Sequence, residues 1–545
     1  MPKPRTLPEA LADAARAAAG YSFPSDGSDG FRSYADIQRE AFRVARALGD
    51  AGLRPGDLVG LVLSNAEAFL TTLFGASIAG MIPASLYPPA STADLPRYID
   101  LTTTILRASA ARAVLTTRSL VPHFEAVRAT CPALSLVLAH EDLEAPAAAP
   151  DRLPALDDIA FVQFTSGATS TPKGVVLTHR NLSANIEAIN GPLGVAASEA
   201  DTAVSWLPLN HDMGLVGMAL CPMYAARPAV LLPPTAFVKR PVEWLRAISR
   251  HRGTVSFAPH FAYDLCVRRV RDRDLAGLDL SCWRVAGCGA EPIHLSTLEA
   301  FAARFAAVGF RETSFFPSYG LAEHVLAATL SPPDRPLRID YHQSTSDDAV
   351  MTLVSCGRPL PGHQIRIVDK DDRPLAEGAV GEIVLAGPSV MAGYYNQDAA
   401  TAEAVRNGWL HTGDLGYLSG AELFVCGRAK DVIIVNGRKH HPQDLEWAVG
   451  DLAGVRRGRV VAFGVVEHGR PDGVVIVVEP SGTVAAEILV ESIRRRIGDL
   501  FGLYVDDVAV VPSGTVDRTT SGKVQRAATK ARYERGDFAP MTVEG

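Results

Sequence analysis

The segment IAFVQFTSGATSTPKGVVLTHRNL, residues 159–182, holds the strongest local pattern in the chain. Its apolar start, Ile159–Phe164, predicts a buried strand, after which a loop of small and hydroxyl residues leads into a second β-rich stretch. Such a loop suits phosphate, because glycine lets the backbone approach an anion, while hydroxyl groups and a lysine supply hydrogen bonds and positive charge. The residues predicted to contact phosphate are Thr165, Ser166, Gly167, Thr169, Ser170, Thr171, Lys173 and Gly174.

Three other interpretations of this loop can be weighed from its residues. A flexible surface loop can have the same composition. A Walker A loop does not fit, because that motif places Gly-Lys-Ser/Thr at the start of a helix, whereas Lys173 is followed by Gly174 and a β-rich stretch. A serine hydrolase does not fit either, because no Gly-x-Ser-x-Gly turn surrounds Ser166.

Upstream of this segment, helical and strand patterns alternate. Helices are expected at 34–51, 70–82 and 105–111, and buried strands at 58–63, 113–116 and 135–138. Alternation of this kind predicts a mainly parallel sheet covered by helices. A second α/β unit is expected to begin at Ile159.

Downstream, residues 350–384 contain short β-rich runs separated by Gly and Pro, which predicts a small β-barrel over about 350–427. A compact alternation of strands and helices then follows. The sequence thus predicts an α/β protein with a large N-terminal domain over 1–427, made of two α/β subdomains and the barrel. A hinged, mobile α+β C-terminal domain is expected over 428–545.

Composition excludes several classes of protein. The 545-residue chain has 60 acidic residues against 53 Lys and Arg, so its formal net charge is −7, and the basic surface that a nucleic-acid partner requires is missing. Its seven cysteines form no Cys-x-x-Cys pair, which argues against a zinc site or a disulfide framework and favours a reducing compartment. Because no uninterrupted apolar run provides a signal peptide or a spanning helix, we expect a cytoplasmic protein without stable membrane insertion.

Seven segments, spread over nearly the whole chain, resemble the motifs of the adenylate-forming superfamily, which comprises acyl-CoA synthetases, peptide-synthetase adenylation domains and luciferases. In chain order they are TSGATSTPKG (165–174), WLPLNHDMGLVG (206–217), GCGAEPI (287–293), SYGLAE (318–323), HTGDLGYL (411–418), GRAKDVII (427–434) and TTSGKVQR (519–526). Further phrases resemble the fatty acyl-AMP ligase branch in particular, namely LPLNHDMGLVG (207–217), APHFAYDLCVRR (258–269), WRVAGCGAEPI (283–293) and NGRKHHPQDLE (436–446). That branch also carries an insertion ahead of the barrel, to which residues 331–357 correspond in a short form.

The resemblance implies a two-step reaction. A medium- or long-chain fatty acid is activated by ATP, with Mg²⁺, to acyl-adenylate and pyrophosphate, and the acyl group then passes to the phosphopantetheine of an acyl carrier protein acting in trans. The carboxylate of the acid is already ionised near neutral pH, so the first step needs charge neutralisation and alignment but no general base. Two alternatives stay open: an acyl-CoA synthetase that uses coenzyme A, and a non-catalytic scaffold that binds acyl groups or nucleotides.

The resemblance also implies roles for individual residues. Lys523 corresponds to the catalytic lysine that bridges the substrate carboxylate and the α-phosphate, and Lys430 to the hinge of the C-terminal domain. Glu323 and Thr165 correspond to magnesium ligands, in keeping with the preference of a hard cation for oxygen. Adenine and ribose are assigned to Gly289, Ala290, Glu291, Tyr319, Gly320, Asp414 and Arg428, with Arg428 expected close to Asp414, and the acyl substrate to His211, Asp212 and Met213. Taken singly, each residue has an ordinary structural alternative, such as a solvated lysine, a surface ion pair or a core aromatic.

Overall fold

The computed structural model describes residues 3–24, 28–89, 95–150, 152–164, 173–343, 350–435, 438–467, 470–482, 484–518 and 524–538. Contacts between Cα atoms divide the chain into two compact units. Unit 1 comprises Met1–Leu337, Cys356–Arg366 and Val384–His411, and unit 2 comprises Arg338–Ser355, Ile367–Ile383 and Thr412–Gly545. Since this division assigns short segments of the region before residue 427 to each unit, the domain boundary expected between 427 and 428 stays a prediction.

The first sheet of unit 1 is the mainly parallel α/β sheet expected upstream of the loop segment. It also contains the strand Ile159–Phe164, so the expectation that a second α/β unit begins at Ile159 was wrong. Its strands, in spatial order, are Gly393–Tyr394, Gly174–Thr178, Ile159–Phe164, Ile82–Ser85, Leu58–Val62, Ala113–Thr116 and Leu136–Ala139. From Ile159–Phe164 to Leu136–Ala139 neighbouring strands are parallel, and Gly174–Thr178 pairs antiparallel with Ile159–Phe164. The accompanying helices are Tyr34–Asp50, Ala66–Ile78, Leu95–Ala108 and Val121–Val127. A continuous apolar core forms where these helices cover a parallel sheet, as the buried Val62, Leu106, Val114 and Phe124 show.

Two helices of this region begin and end differently from the sequence prediction. The helix expected at 70–82 is Ala66–Ile78, capped at its start by the Asn65 side chain and followed by Gly80 with a φ of 72°. Every residue from 69 to 78 is buried, so no polar face marks the ends of this helix in the sequence. The helix expected at 105–111 is the final part of Leu95–Ala108.

The second sheet of unit 1 has nine strands. In spatial order they are Arg358–Pro359, Ala327–Leu330, Phe315–Gly320, Val285–Gly289, Val255–Pro259, Ala203–Ser205, Ala229–Leu231, Gly20–Ser22 and Phe31–Ser33. The central strands are parallel and the outer ones antiparallel. Helices of this part are Leu7–Ala14, His179–Asn190, Cys221–Tyr224, Pro234–Lys239, Val242–Arg250, His260–Arg269 and Leu295–Phe305, together with a π-helix at Met213–Leu220. Its core is aromatic, with the buried rings of Trp244, Tyr263, Trp283 and Phe301 in contact.

A third sheet lies in the β-rich region that follows. Its strands, in spatial order, are Gln364–Val368, Gly381–Ala386, Trp409–Ser419 and Val405–Arg406, and Glu422–Arg428 also pairs with Trp409–Ser419. The division between the units passes through three of these strands. A hairpin of Ile339–Gln343 and Val350–Val354 precedes the sheet, and the helix Asp398–Ala404 lies within the region.

The remainder of unit 2 has the predicted α+β character. A sheet of Val455–Glu467, Arg470–Pro480 and Asp507–Val510 is accompanied by the strand pair Ile433–Val435 and Arg438–His440 and by the helices Pro442–Gly450, Ala486–Phe501 and Arg526–Glu534. Alternate residues of the central strand face opposite sides, so Val474 and Ile476 belong to one apolar cluster and Val475 and Val477 to another. Helices cover both clusters, as the packing of Leu489 and Tyr533 shows.

The α/β fold with a smaller α+β part confirms the fold class predicted from the sequence. Within the ranges that the structure describes, the helices are too short or too polar for any of them to cross a membrane.

Candidate nucleotide and acyl site

The phosphate-binding prediction falls largely outside the described residues, because 165–172 are not among them. Lys173 and Gly174, which end the loop, are described. The Lys173 ammonium lies over the ring of Tyr394, with Nζ 4.7 Å from the ring centroid. A Cβ at Gly174 would come within 2.9 Å of both Phe164 and Val162, so glycine is required here by packing against the neighbouring strand.

Glu323 lies in the short connection between the antiparallel strands Phe315–Gly320 and Ala327–Leu330. Its carboxylate oxygen Oε1 accepts a hydrogen bond of 2.9 Å from the Tyr394 hydroxyl, and its backbone carbonyl accepts one of 2.9 Å from the Met391 amide. The structure therefore brings together the predicted phosphate lysine and the predicted metal ligand through one side chain.

Tyr394 is a residue that the sequence interpretation missed. It belongs to the two-residue strand Gly393–Tyr394, which pairs with Gly174–Thr178 in the register Tyr394 to Val175. A signal existed in the adjacent tyrosines of MAGYYN, residues 391–396, but nothing local in the sequence connects them with a strand more than 200 residues earlier.

The connection that carries Glu323 has an unusual backbone. Val325 has φ 66° and ψ −62°, and the Leu326 amide donates a hydrogen bond of 2.8 Å to the His324 carbonyl across it, which forms a γ-turn. A buried β-branched residue in this region is strained, typically by about 1–3 kcal/mol. The packed surroundings of the turn therefore hold Glu323 in place at an energetic cost.

The neighbouring histidines are neutral. Burial lowers the pKa of His324 to about 3, and its Nδ1 lies 2.9 Å from the Ala327 carbonyl oxygen. His363, whose ring centroid is 5.0 Å from that of His324, has Nε2 2.6 Å from the Ser389 hydroxyl, and burial lowers its pKa as well. These rings therefore add no positive charge beside Glu323.

The predicted adenine residues lie at the carboxyl ends of two neighbouring parallel strands. Gly289 ends Val285–Gly289, and Tyr319 and Gly320 end Phe315–Gly320. Ligands of open α/β sheets commonly bind at this edge. A Cβ at Gly289 would lie 2.6 Å from the Ser318 hydroxyl oxygen, so glycine allows the close approach of the two strand ends.

Two further residues of this group are Ala290, which has an unusual backbone conformation, and Glu291, which has a structural hydrogen-bond partner. Ala290 has a φ of 68°, in the left-handed region. The Glu291 carboxylate accepts a hydrogen bond of 2.6 Å from the amide of Phe261, in the first turn of the helix His260–Arg269. This contact gives Glu291 a capping role, in addition to its predicted place beside the purine.

The predicted acyl residues surround the start of the π-helix Met213–Leu220. His211 and Asp212 form a pair with Nδ1 2.6 Å from Oδ1, and the Met213 amide donates to the same Asp212 oxygen over 2.7 Å. The Gln163 side-chain amide donates a hydrogen bond of 2.7 Å to the Asn210 carbonyl. The structure thus joins the predicted acyl segment to the strand that leads into the phosphate loop. π-helical turns often occur at functional sites.

In unit 2, Asp414 and Arg428 are paired, as the sequence predicts. They face each other in the register of neighbouring strands, and the Arg428 Nε lies 3.0 Å from Asp414 Oδ1. Asp414 is buried, whereas about half of the Arg428 side chain is exposed, at 53%. Lys430 is exposed in the short helix Ala429–Asp431, and Lys523 lies outside the described residues.

A largely buried ion cluster of unit 2 was also missed. The Arg526 guanidinium donates to both carboxylate oxygens of Glu446, at 2.8 and 2.9 Å, and to Asp431 Oδ2 at 2.7 Å. Arg526 follows the TTSGK motif and Asp431 follows Lys430. The cluster therefore connects the segment after the predicted hinge with the segment after the predicted catalytic lysine.

An α/β fold with glycine and polar residues at the carboxyl ends of its parallel strands is typical of nucleotide-binding enzymes, and comparison with known proteins supports that class. Residues 11–395 match the family described as AMP-binding enzyme, and residues 430–542 match the AMP domain of the Disco-interacting protein 2-like family. The chain belongs to the AMP-binding enzyme family. This finding confirms the resemblance drawn from the seven motifs.

Individual relatives match between 70% and 99% of the chain. A putative acyl-CoA synthetase of Caulobacter vibrioides is 35% identical over 93% of this chain and 91% of its own length. The long-chain-fatty-acid–AMP ligase FadD26 of Mycobacterium bovis is 34% identical over 99% of both chains. The medium-chain-fatty-acid–[acyl-carrier-protein] ligase JamA of Moorena producens is 37% identical over 70% of this chain and 68% of its own.

Among solved structures, one from a study of fatty acyl-adenylate ligases of E. coli and L. pneumophila superimposes with a TM-score of 0.91. It is 35% identical, and the match covers 98% of each chain.

Proposed function

We propose that this enzyme activates a medium- or long-chain fatty acid with ATP and passes the acyl group to the phosphopantetheine of an acyl carrier protein acting in trans. The observation that carries the proposal is the contact of Tyr394 with both Lys173 and Glu323, since it gathers a cation and a carboxylate beside the end of the phosphate loop. The names of FadD26 and JamA, which specify fatty acid–AMP and carrier-protein ligation, support the substrate and the acceptor. We further propose that the reaction takes place in the cytoplasm.

The first step forms a bond between a carboxylate oxygen of the fatty acid and the α-phosphorus of ATP, and it breaks the bond from that phosphorus to pyrophosphate. The attacking carboxylate is ionised at neutral pH, so no proton has to be removed. Repulsion among the attacking carboxylate, the α-phosphoryl group and the leaving pyrophosphate is the main obstacle, and positioned positive charge lowers this repulsion. In the proposal, Lys173 and the rest of the 165–174 loop bind the phosphates, and Lys523 bridges the carboxylate and the α-phosphate.

The residues present fit a magnesium ion bound largely through the nucleotide. The part of the chain that the structure describes contains no group of three or more His, Cys, Asp or Glu arranged to hold a metal. A single carboxylate such as Glu323, with Thr165 as the proposed second contact, suits Mg²⁺, which commonly uses one or two protein oxygens together with substrate phosphates. When bound, the ion supplies charge neutralisation on the phosphates.

Adenine is proposed to lie between Gly289–Glu291 and Tyr319, whose aromatic ring can stack on the base, with Gly320 beside it. Asp414 has two acceptor oxygens for the ribose hydroxyls, and Arg428 orients its carboxylate. The acyl group is assigned to the segment of His211, Asp212 and Met213. Lys430 is proposed as the hinge that exposes the acyl-adenylate to the acceptor in the second step.

Mass spectrometry of the products tests this function. The enzyme is incubated with Mg-ATP and saturated fatty acids of different lengths, alone, with coenzyme A, or with a phosphopantetheinylated acyl carrier protein. Acyl-AMP that is converted to acyl carrier protein but not to acyl-CoA supports the proposal. Abundant acyl-CoA would instead make the protein an acyl-CoA synthetase, the activity in the name of the Caulobacter relative, and neither product would indicate a scaffold.

A matched pair of variants tests the site itself. Glu323→Gln removes the proposed metal-binding charge and is expected to lower the rate of acyl-AMP formation by about a hundredfold or more, because several kcal/mol of charge stabilisation are lost. Glu312→Gln changes an exposed glutamate just before the strand Phe315–Gly320 and should leave the rate unchanged. Equal rates for the two variants would remove Glu323 from the site.

A further inference from the structure

Tyr394 touches two groups of opposite charge at once. Its hydroxyl donates to Glu323 over 2.9 Å, and the Lys173 ammonium lies over its ring at 4.7 Å from the centroid. A hydrogen bond to a carboxylate is stronger than one between neutral groups, and an ammonium is attracted to the electron-rich face of an aromatic ring. Since the ring is rigid and buried, it fixes the positions of the Glu323 carboxylate and the Lys173 ammonium relative to each other.

The backbone around Tyr394 is bound to the same two elements. The Met391 amide donates to the Glu323 carbonyl over 2.9 Å, the Ala392 amide to Val176 over 3.0 Å, and the Tyr395 amide to Gly174 over 2.7 Å. Residues 391–395 therefore connect the turn of Glu323 with the strand that follows Lys173, and the Tyr394 side chain lies in the middle of that connection.

We propose that Tyr394 is a positioning residue for the magnesium–nucleotide complex. Its hydroxyl orients the Glu323 carboxylate toward the cation, and its ring holds the Lys173 ammonium for the phosphates. This inference rests on the proposed function for the assignment of Lys173 and Glu323. It adds to that function Tyr394, a residue from a distant segment. The Tyr394 hydroxyl acts through Glu323 on the cation, and its ring acts through Lys173 on the phosphates.

The two contacts can be separated by substitution. Tyr394→Phe keeps the ring beneath Lys173 and removes only the hydroxyl that binds Glu323. Tyr394→Leu removes both contacts. Tyr395→Phe is the matched control, because it removes a hydroxyl from the neighbouring residue, whose side chain packs against the apolar core of the seven-stranded sheet.

The experiment measures equilibrium binding of α,β-methylene ATP by calorimetry over a range of Mg²⁺ concentrations. This analogue cannot be cleaved at the bond that the first step breaks, so binding is observed without turnover. Tyr394→Phe should raise the Mg²⁺ concentration at half-saturation by about tenfold, the change expected for loss of one hydrogen bond to a charged group, with little change in nucleotide affinity at saturating Mg²⁺. Tyr394→Leu should in addition weaken nucleotide binding at saturating Mg²⁺ by several-fold.

Each outcome decides the inference. A Tyr394→Phe protein with the Mg²⁺ dependence of wild type overturns it, and so does an equal loss of binding in Tyr394→Phe and Tyr395→Phe, because a general structural effect would then be responsible. Thermal unfolding of every variant identifies such an effect independently. If wild type binds the magnesium–nucleotide complex but makes no acyl-AMP, the proposed fatty-acid function fails, whereas the binding data still decide the role of Tyr394.

Discussion

The largely buried cluster of Arg526, Glu446 and Asp431 predicts a large and local loss of stability when its cation is removed. Arg526 makes three hydrogen bonds to the Glu446 carboxylate and one to Asp431, and less than a fifth of each side chain is exposed, at 14%, 12% and 18%. Arg526→Met keeps an aliphatic side chain but leaves two partly buried carboxylates without their cation. Breaking a buried pair from one side costs about 3–5 kcal/mol.

Arg535→Met is the control for this prediction. Arg535 donates to the Asp537 carboxylate at 2.7 and 3.0 Å, so the hydrogen-bonding geometry is comparable, but the two side chains are 60% and 40% exposed. Water competes for exposed charges, and such a pair contributes about 0–1 kcal/mol. The two variants therefore carry out the same chemical change in a buried and an exposed environment.

Hydrogen exchange measured by mass spectrometry on the full-length protein reads out the effect locally, which matters because a multi-domain chain need not unfold in one step. In Arg526→Met, protection of peptides from the strand Val455–Glu467 should fall by about two to four powers of ten, which corresponds to the expected 3–5 kcal/mol. That strand responds because its Ala462 amide donates to Glu446 over 3.0 Å.

A double variant tests whether the uncompensated charge of Glu446 causes the loss of stability. Arg526→Met with Glu446→Gln removes the uncompensated charge of Glu446, so the double variant should regain part of the lost protection. Burial raises the pKa of Glu446 even in wild type. The folded state of Arg526→Met therefore binds more protons than the unfolded state above pH about 4. The loss of stability of this variant relative to wild type should shrink as the pH is lowered. Protection in Arg526→Met equal to that in Arg535→Met would refute the reasoning.

Two further predictions concern the same region. Burial and the nearby Glu446 carboxylate raise the pKa of Asp444 from 3.8 to about 6. The contribution of Asp444 to stability is therefore present below pH 4 and lost as the pH rises through 6. Asp444→Asn should be about 1–3 kcal/mol more stable than wild type at pH 8 and no more stable at pH 4, as measured by hydrogen exchange corrected for intrinsic rates. Lys430→Pro should retain acyl-AMP synthesis and lose acyl transfer, because proline restricts the backbone at the predicted hinge, and normal transfer measured by mass spectrometry of the carrier protein would exclude Lys430 as the hinge.

The sequence predicts elements well where their ends are marked locally. The strands Ala113–Thr116 and Ile159–Phe164 have the predicted bounds, since each is a short apolar run between polar or turn-forming residues. The helix Ala66–Ile78 was displaced in the prediction because burial on all sides removes the polar face that gives a helix its period. Periodicity thus locates half-buried elements better than fully buried ones.

Candidate site residues were likewise predicted where a local sequence pattern marks them and missed where none does. Asp414 and Arg428 were expected to lie close together and do so through the pairing of adjacent strands. Tyr394 was missed because a two-residue strand has no period, and its partner strand lies far away in sequence. Gly174 was selected as a residue that lets an anion approach, and the structure adds a different reason, the contact that any Cβ would make with Phe164 and Val162. One glycine can therefore satisfy a packing requirement and a binding requirement at the same position.

Strained backbone is the feature that local rules are least able to predict. Non-glycine residues with a positive φ occur at several places in the described part of the chain, and two of them lie beside the candidate site. Ala290, with φ 68°, follows one strand of the nine-stranded sheet, and Val325, with φ 66°, lies in the connection that follows the neighbouring strand. Neither residue type favours this region, so tertiary packing must impose it. At Gly320 the packing is tight enough that a Cβ would lie 1.8 Å from the Leu326 carbonyl oxygen. Both strained residues are within two positions of a carboxylate assigned to the nucleotide site, Glu291 or Glu323. Strain at these strand ends is what we expect if the two carboxylates are held in position before the ligand arrives, since a preorganised site need not pay the cost of ordering them during binding.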